Sequence, residues 1–421
     1  MKILVVGGGG REHAIVWKLA RSSRVSKLYC APGNGGTVEI AENIPAKATD
    51  LEAIKDFALR ENIDLVFVAP DDPLAMGMVD YLEAAGIRAF GPRASAARLE
   101  ASKSFAKDLM KKYNIPTAAY ETFTDMDAAL AYINNCDLPV VIKADGLALG
   151  KGVIIAETRE DAIKAVKDMM SDGVFGSAGR MIVVEEFLRG PELTVLAFAD
   201  GKTVKSMVSS RDHKRALDGD KGLNTGGMGA IAPGADLTEE QQRLMHEQIF
   251  QPTIDAMRAE GAPFHGVIYF GLMLTEYGPK VIEYNARFGD PEAQVVLPLL
   301  ETDLVDIIDS CIDGTLDQQD IVWSDRHACV VVMASGGYPG NYETSKIISG
   351  LENAVKPGED AIIFHAGTIR NGKDVSTSGG RVLGITALAD DREQAIDRAY
   401  EIIDRISFEN CHYRRDIGRT C

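Results

Sequence analysis

The stretch KVIEYNARFGDPEAQ, residues 280–294, opens with the spacing of a β-strand and closes with the punctuation of a helix start. Side chains alternate between the two faces of a strand. Ile282, Tyr284 and Ala286 are therefore expected to point to a core, and Glu283, Asn285 and Arg287 to point the other way in a row. A carboxylate and an amide oxygen on one face make an all-oxygen donor set. Such donors suit Mg²⁺ or Mn²⁺, with the remaining oxygens drawn from phosphates and water. Gly289 ends the strand, Asp290 is a suitable N-cap and Pro291 a suitable first helical residue. The free N–H groups of that helix would face the Arg287 region and favour an anion. A half-exposed strand followed by a capped helix would leave the same pattern without any ligand.

Working outward, 421 residues exceed one ordinary core, so about two to four domains are expected. The net charge of −17, with no long basic run, argues against a nucleic-acid partner. The six cysteines (30, 136, 311, 329, 411, 421) form no CxxC pair and no Cys/His metal spacing. The chain starts directly on a strand, MKILVVGGGG, without the order of a signal peptide, and no apolar run reaches membrane-spanning length. A cytoplasmic protein without a membrane partner is expected.

Residues 1–100 alternate strand and helix: KILVV, REHAIVWKLARS, KLYCAP, LEAIKDFALREN, DLVFVAP and MVDYLEAAG. Repeated βα units predict a parallel sheet with ligands at the carboxyl ends of its strands. The loop Gly7-Gly8-Gly9-Gly10 opens the first helix, but Glu12 stands where a dinucleotide fingerprint needs glycine. What remains is a backbone cradle able to take a phosphate.

From about residue 101 the pattern changes. SKSFAKDLMKKYNIP is a helix with Lys103 in its first turn, and PVVIKADGLALGKGVIIA is two strands joined by a glycine-rich loop. Lys143 ends the first of these strands. Gly146, Gly150 and Gly152, with Lys151 among them, allow close approach of backbone to ligand. The loop lacks P-loop spacing. MIVVEEFLRGPELTV is strand, bend, strand, carrying Glu185, Glu186, Leu188 and Glu192. SSRDHKRALDGDKGLNTGGMGAIAPG is expected to be a long polar loop of functional type. In it His213 has no Ser or Cys partner, so a hydrogen-bonding role is favoured over that of a base. FHGVIYFGLMLTEYGPKVIEY is a hairpin turning near Tyr277-Gly278. Beyond a helical run come the strands HACVVVMAS, AIIFHAGT and GRVLGITALA and the helix EQAIDRAYEIIDRI; His365 and Arg381 are candidates to face the shared cleft, with core or capping duty as the default for both.

RFGDPEAQ resembles the signature of the phosphoribosylamine–glycine ligase family, within the ATP-grasp superfamily. VVGGGGREHA, APGNGGT, ASKSFAKDLM, VIKADGLALGKGV, VEEFLRGPE, RDHKR, NTGGMGA, MASGGYPG and HAGT resemble it in the same order. The resemblance implies an α/β and α+β multidomain chain. Its parts are an N-terminal parallel βα domain (1–100), an ATP-grasp domain (101–324, lid about 117–190) and a small C-terminal α+β domain (325–421). It implies ATP and Mg²⁺ or Mn²⁺ as cofactors, glycine and phosphoribosylamine as substrates, and a monomer. Lys103, Lys143, Gly146, Gly150, Lys151 and Gly152 would hold phosphates, and residues 185–188 adenine, with Glu192 on the ribose. Gly8, Gly9, Gly10, Asn34 and Gly35 would form the ribosylamine phosphate site. Asp212, Asn224, Thr225 and Gly226 would wall the small-substrate pocket. Glu283 and Asn285 would bind metal, Arg287 would stabilise the transferring phosphoryl group, and Asp290 would orient the glycine ammonium. Asp71, Leu149 and Arg211 depart from the family pattern, and GVIYFGLML lacks the metal carboxylate common in ATP-grasp enzymes.

The chemistry these features point to is joining a carboxylate to an amine through an acyl phosphate. It needs positioning and charge neutralisation but no protein nucleophile. Another ATP-grasp ligase or carboxylase is the alternative. A nicotinamide enzyme has only the N-terminal glycines in its favour, and a non-catalytic binding protein would not need so many separate motifs.

Overall fold

A computed structural model of the chain describes residues 1–146, 152–171 and 180–419. Strands Lys2–Gly7, Lys27–Pro32, Glu42–Asn43, Leu65–Val68 and Ala89–Phe90 make one parallel sheet. Lys2–Gly7 lies at its centre, between Lys27–Pro32 and Leu65–Val68. The strand order reverses there, which puts a crevice at the carboxyl end of the first strand. Ile3 to Val6 are fully buried, as a strand covered on both faces requires.

Two antiparallel sheets follow. The smaller runs Tyr120–Phe123, Ile182–Glu186, Val140–Ala144, Val153–Ala156 in spatial order. Helices Met126–Ile133 and Arg159–Met170 cover it, and it has its own apolar core around Ile142, Val166 and Val184. The larger runs Val204–Ser206, Glu192–Asp200, His265–Thr275, Gly278–Asn285. The bend at 187–191 carries the chain from one sheet to the other.

The last strand of the larger sheet departs from simple alternation. Glu283 pairs with Gly271 and Val281 with Leu272, so Ile282 is an extra, unpaired residue in a β-bulge. Val281 takes the core position expected of Ile282, and Ile282 is turned half-exposed onto the cleft beside Glu283. Tyr284 and Ala286 are buried as expected.

The helix expected at Asp290-Pro291 starts later, at Ala293, and ends at Leu299; Asp290-Pro291 is a cis peptide within a turn. Asp290 is not the N-cap, because its carboxylate is taken by other partners described below.

The long polar segment after residue 208 is not a loop. It folds as strands Arg211–Asp212, Arg215–Leu217, Lys221–Asn224 and Gly229–Ala232. Two of these join a sheet ordered Arg211–Asp212, Gly229–Ala232, His327–Ala334, Arg381–Ala389, Ala361–His365. The C-terminal sheet is therefore completed by strands from the middle of the chain, and helix Arg392–Ile403 packs on it. Among the described residues no helix is long and apolar enough to cross a membrane.

Candidate functional site

The two antiparallel sheets and the C-terminal sheet enclose a cleft of about 1100 Å³. Lys103 begins helix Lys103–Lys112, capped by Ser102, and its ammonium donates to the Gly146 carbonyl at 2.8 Å. Lys143, at the end of its strand, donates to the Ile282 carbonyl at 3.0 Å and pairs with Glu185 at 3.0 Å. Glu185 is buried, whereas Glu186 is exposed and pairs with Lys280 at 3.1 Å. Leu188, Gly190, Pro191 and Glu192 line the cleft at the bend, and Gly152 lines the opposite lip. Gly150, Lys151 and Leu149 lie outside the described residues.

Glu283 meets Lys214 at 3.5 Å, and Lys214 also approaches Glu192 at 3.6 Å. Lys214, against burial, holds the Glu283 carboxyl below its usual range, helped by Lys143 and Lys103. Its side chain stays 31% exposed, open to the cleft. Asn285 Oδ1 takes one long bond, 3.3 Å, from Arg287. An ionised carboxylate and a lightly used amide oxygen, facing lysines that would receive phosphates, fit Mg²⁺ or Mn²⁺. Among the described residues no group of three His, Cys, Asp or Glu gathers to hold a metal, so this pair has no third acidic ligand.

Arg287 pairs with Glu100 at 2.9 Å and donates to the Phe288 carbonyl at 3.2 Å; its Nε is buried without a partner. Burial opposes its charge, but Glu100 and Asp71 raise its pKa. Asp71 and Arg211 both line the cleft.

Asp290 is occupied. Gln294 donates to its Oδ1 at 2.8 Å, Arg381 stands 3.3 Å from the same oxygen, and the Arg11 amide reaches Oδ2 at 3.5 Å. Burial would raise its pKa, but Arg381 and Arg11 prevail and lower it. Glu292 contrasts with it. It is 3% exposed and lines the cleft, and burial with the nearby Asp212 pushes it up to about 7.

A second cavity of about 320 Å³ sits at the carboxyl end of the parallel sheet, lined by Gly8, Gly9, Asn34, Thr368, Ser378 and Arg381. A Cβ on Gly8 would stand 2.5 Å from the Gly33 carbonyl oxygen, so only glycine lets the two loops meet. Asn34 spends its side chain inside the protein. Its amide donates to the Gly8 and His365 carbonyls at 3.0 and 2.8 Å, and its oxygen accepts from Gly36 and Thr37. Gly35 N–H is taken by Thr368. Gly10 is the first helical residue. Gly9 N–H donates to Glu12 at 2.6 Å. Asp290 and Arg381 line both cavities.

Asp212, Asn224, Thr225 and Gly226 all line the main cleft. Thr225 Oγ1 donates to the Lys214 carbonyl at 2.8 Å. Gly226 donates to the Tyr338 hydroxyl at 3.0 Å and accepts from Arg381 at 2.6 Å. His213 is structural: its Nε2 accepts the Gly418 amide at 3.2 Å, and burial lowers it to about 4. His365 is buried too, also lowered to about 4 by burial. Arg381 faces the cleft, and Glu100, Lys107 and Glu292, which sequence reasoning does not single out, line it too. The available signals were an acid between Leu99 and Ala101 and a lysine one helical turn after Lys103.

Comparison with known proteins gives a consistent picture. Family models match the phosphoribosylglycinamide synthetase N domain at residues 1–100, its ATP-grasp (A) domain at 101–293 and its C domain at 328–420. The chain is 47% identical over 418 residues to the phosphoribosylamine–glycine ligase of Halalkalibacterium halodurans, covering 99% of this chain and 96% of that one. It is 47% identical over 422 residues to the Escherichia coli ligase, covering 99% and 98%. The crystal structure of phosphoribosylamine–glycine ligase from Thermotoga maritima superposes with a TM-score of 0.86 at 33% identity, covering 99% of this chain and 100% of that one. Biotin carboxylase from Campylobacter jejuni shares the fold, with a TM-score of 0.76 at 16% identity over 98% of this chain and 92% of that one.

Proposed function

The chain belongs to the phosphoribosylglycinamide synthetase family and is an ATP-dependent phosphoribosylamine–glycine ligase of purine biosynthesis, and we propose how its two cavities divide that reaction. The observation that carries the proposal is that Asp290 and Arg381 line both cavities, so a group activated in one is within reach of a nucleophile in the other.

ATP would lie in the main cleft, with adenine at the bend from Glu185 to Leu188, ribose at Glu192, and phosphates toward Lys103, Lys143, Gly146 and Gly152. A Mg²⁺ or Mn²⁺ ion held by Glu283 and Asn285 would neutralise charge on those phosphates. A glycine carboxylate oxygen attacks the terminal phosphorus, the bond to the bridging oxygen breaks, and ADP leaves. Arg287, held by Glu100, stabilises the charge on the transferring group. The phosphoribosylamine nitrogen, its phosphate in the smaller cavity with Gly8, Gly9 and Ser378, then attacks the glycyl carbonyl carbon. The carbon–nitrogen bond forms, phosphate departs, and the nitrogen releases its proton.

The glycine ammonium is better served by Asp212 and Glu292 than by Asp290. Asp290 is held ionised by Arg381 and Arg11, whereas Glu292 stays raised by burial and Asp212 despite Lys214 and Arg287, and gains from a further cation. The divisions 1–100, 101–324 with a lid at about 117–190, and 325–421 serve as the working domain scheme. Strands Arg211–Asp212 and Gly229–Ala232 complete the last unit's sheet. We take the working state to be a cytoplasmic monomer, in keeping with the net charge of −17.

The test is turnover with glycine carrying heavy oxygen in its carboxylate. Label in the released phosphate is the expected result. Unlabelled phosphate, or acylated protein after quenching, would remove the acyl phosphate route.

A further inference from the structure

Lys107 is a buried cation that the reaction as described does not use. It lies one turn after Lys103 in helix Lys103–Lys112 and is 2% exposed. Its ammonium donates to Thr117 Oγ1 at 2.8 Å and stands 2.9 Å from Glu185 Oε2. The same carboxylate holds Lys143. Thr117 Oγ1 in turn donates to the Val281 carbonyl at 2.7 Å, while Lys143 donates to the Ile282 carbonyl. The side chains of Thr117, Lys107, Glu185 and Lys143 and the carbonyls of Val281 and Ile282 thus form a six-residue polar ring. It closes on two consecutive carbonyls at the bulge that precedes Glu283, and it ties the smaller sheet to the larger.

The charge count within this ring matters. Lys143 alone would neutralise the formal charge of Glu185. A second buried ammonium is costly to desolvate, and an apolar side chain of equal length would serve packing better. Burial lowers Lys107 to about 8, with Glu185 opposing, so it remains protonated at neutral pH. Two ammonium groups around one carboxylate leave one net positive charge, on the wall where Lys143 lines the cleft.

We propose that Lys107 is a positioning residue for the nucleotide: by neutralising Glu185 it leaves the charge of Lys143 available to the phosphates. Without Lys107, Glu185 would claim Lys143 entirely, and that pair would present no net charge to ATP. The inference rests on the reading that Lys143 meets the phosphates.

The test is binding of ATP, ADP and adenosine by titration calorimetry to the full chain. The readout is the ratio of nucleotide to adenosine affinity, which cancels any change at the adenine. Lys107→Met is expected to lower that ratio by about tenfold or more, the scale of one charge-assisted hydrogen bond. Lys107→Met combined with Glu185→Gln restores one net positive charge and is expected to recover most of the ratio, a rescue that a purely structural lysine would not give. An unchanged ratio in Lys107→Met, equal loss of ATP and adenosine, or no recovery in the double variant would overturn the proposal. Lys143→Met separates the two ideas. If it leaves the ratio unchanged, the phosphate reading of Lys143 is wrong; if it lowers the ratio while Lys107→Met does not, only the role of Lys107 falls. Should Lys107→Met not fold, Lys107→Gln takes its place with the same outcomes.

Discussion

Glu100 Oε1 stands 2.9 Å from Nη2 of Arg287, and its other oxygen accepts the Ala286 amide at 2.7 Å. One buried carboxylate from helix Ala94–Ala101 thus fixes both the backbone and the guanidinium just past the end of strand Gly278–Asn285. Removing one partner of a buried ion pair costs about 3–5 kcal/mol, because the other charge is left uncompensated. Glu100→Gln is therefore expected to lower the melting temperature, and to reduce kcat by about tenfold or more while the KM for ATP moves less. Steady-state kinetics beside a thermal melt check this; a destabilised variant with normal kcat would mean that Glu100 braces the fold but not the chemistry.

Glu283→Gln keeps shape and removes a charge beside three lysines. Turnover is expected to fall by about 100-fold or more, the order of losing a key electrostatic stabiliser, with folding nearly intact. Near-normal turnover at limiting Mg²⁺ in a stable variant would rule Glu283 out as a ligand.

Glu292→Gln tests the seat of the glycine ammonium. The KM for glycine is expected to rise by about tenfold, the scale of a lost charged hydrogen bond, with the KM for ATP little changed. Equal effects on both substrates would point to general damage to the cleft.

Three buried histidines set an expected acid limit. Burial, the largest cause in each, lowers His13 to about 3 and His213 and His365 to about 4. Between those values and the ordinary 6.5 the unfolded chain binds protons that the folded chain refuses. Their contribution is thus fully present above the ordinary value and lost as pH falls, by about 1.4 kcal/mol per pH unit for each histidine. Glu292, raised from 4.5 to about 7, works in the opposite sense: the folded chain keeps the extra proton, so its contribution is lost as pH rises through that window. Denaturant midpoints across the mildly acidic range should therefore fall toward low pH, and His213→Asn should flatten the fall. An unchanged slope would show that His213 does not enter the folded state neutral.

Much of this was legible in the sequence because local and global signals agree. The βα alternation of residues 1–100 produced the parallel sheet, and Lys143, Glu283 and Asn285 share a cleft because strand ends put them there. The position of Ile282 is not legible because a bulge depends on its partner strand, and nothing in VIEYN announces that Gly271 will pair one residue out of step. Asp-Pro favours a helix cap at Asp290, but Arg381, distant in sequence, claims its carboxylate. The 211–232 segment has a loop's composition because its strands are short: Arg215–Leu217 and Lys221–Asn224 pair only with each other, and Gly229–Ala232 finds its long partner only in the C-terminal sheet. Lys107 and Glu100 went unnoticed since burial of a charge is a tertiary property, invisible in a helical repeat.

That borrowed pair of strands has a consequence for how the chain is made. Strand Gly229–Ala232 leaves the ribosome well before its partner His327–Ala334, against which Gly229 pairs with Val331. Domains tend to fold as they emerge, yet here an unpaired edge must wait through the synthesis of the hairpin His265–Asn285 and the helices after it. A ribosome stalled in that interval would hold a nearly finished nucleotide cleft with a bare strand edge, the kind of edge that recruits other chains. The nascent protein should therefore depend on chaperones most between the completion of Asn285 and the appearance of Ala334.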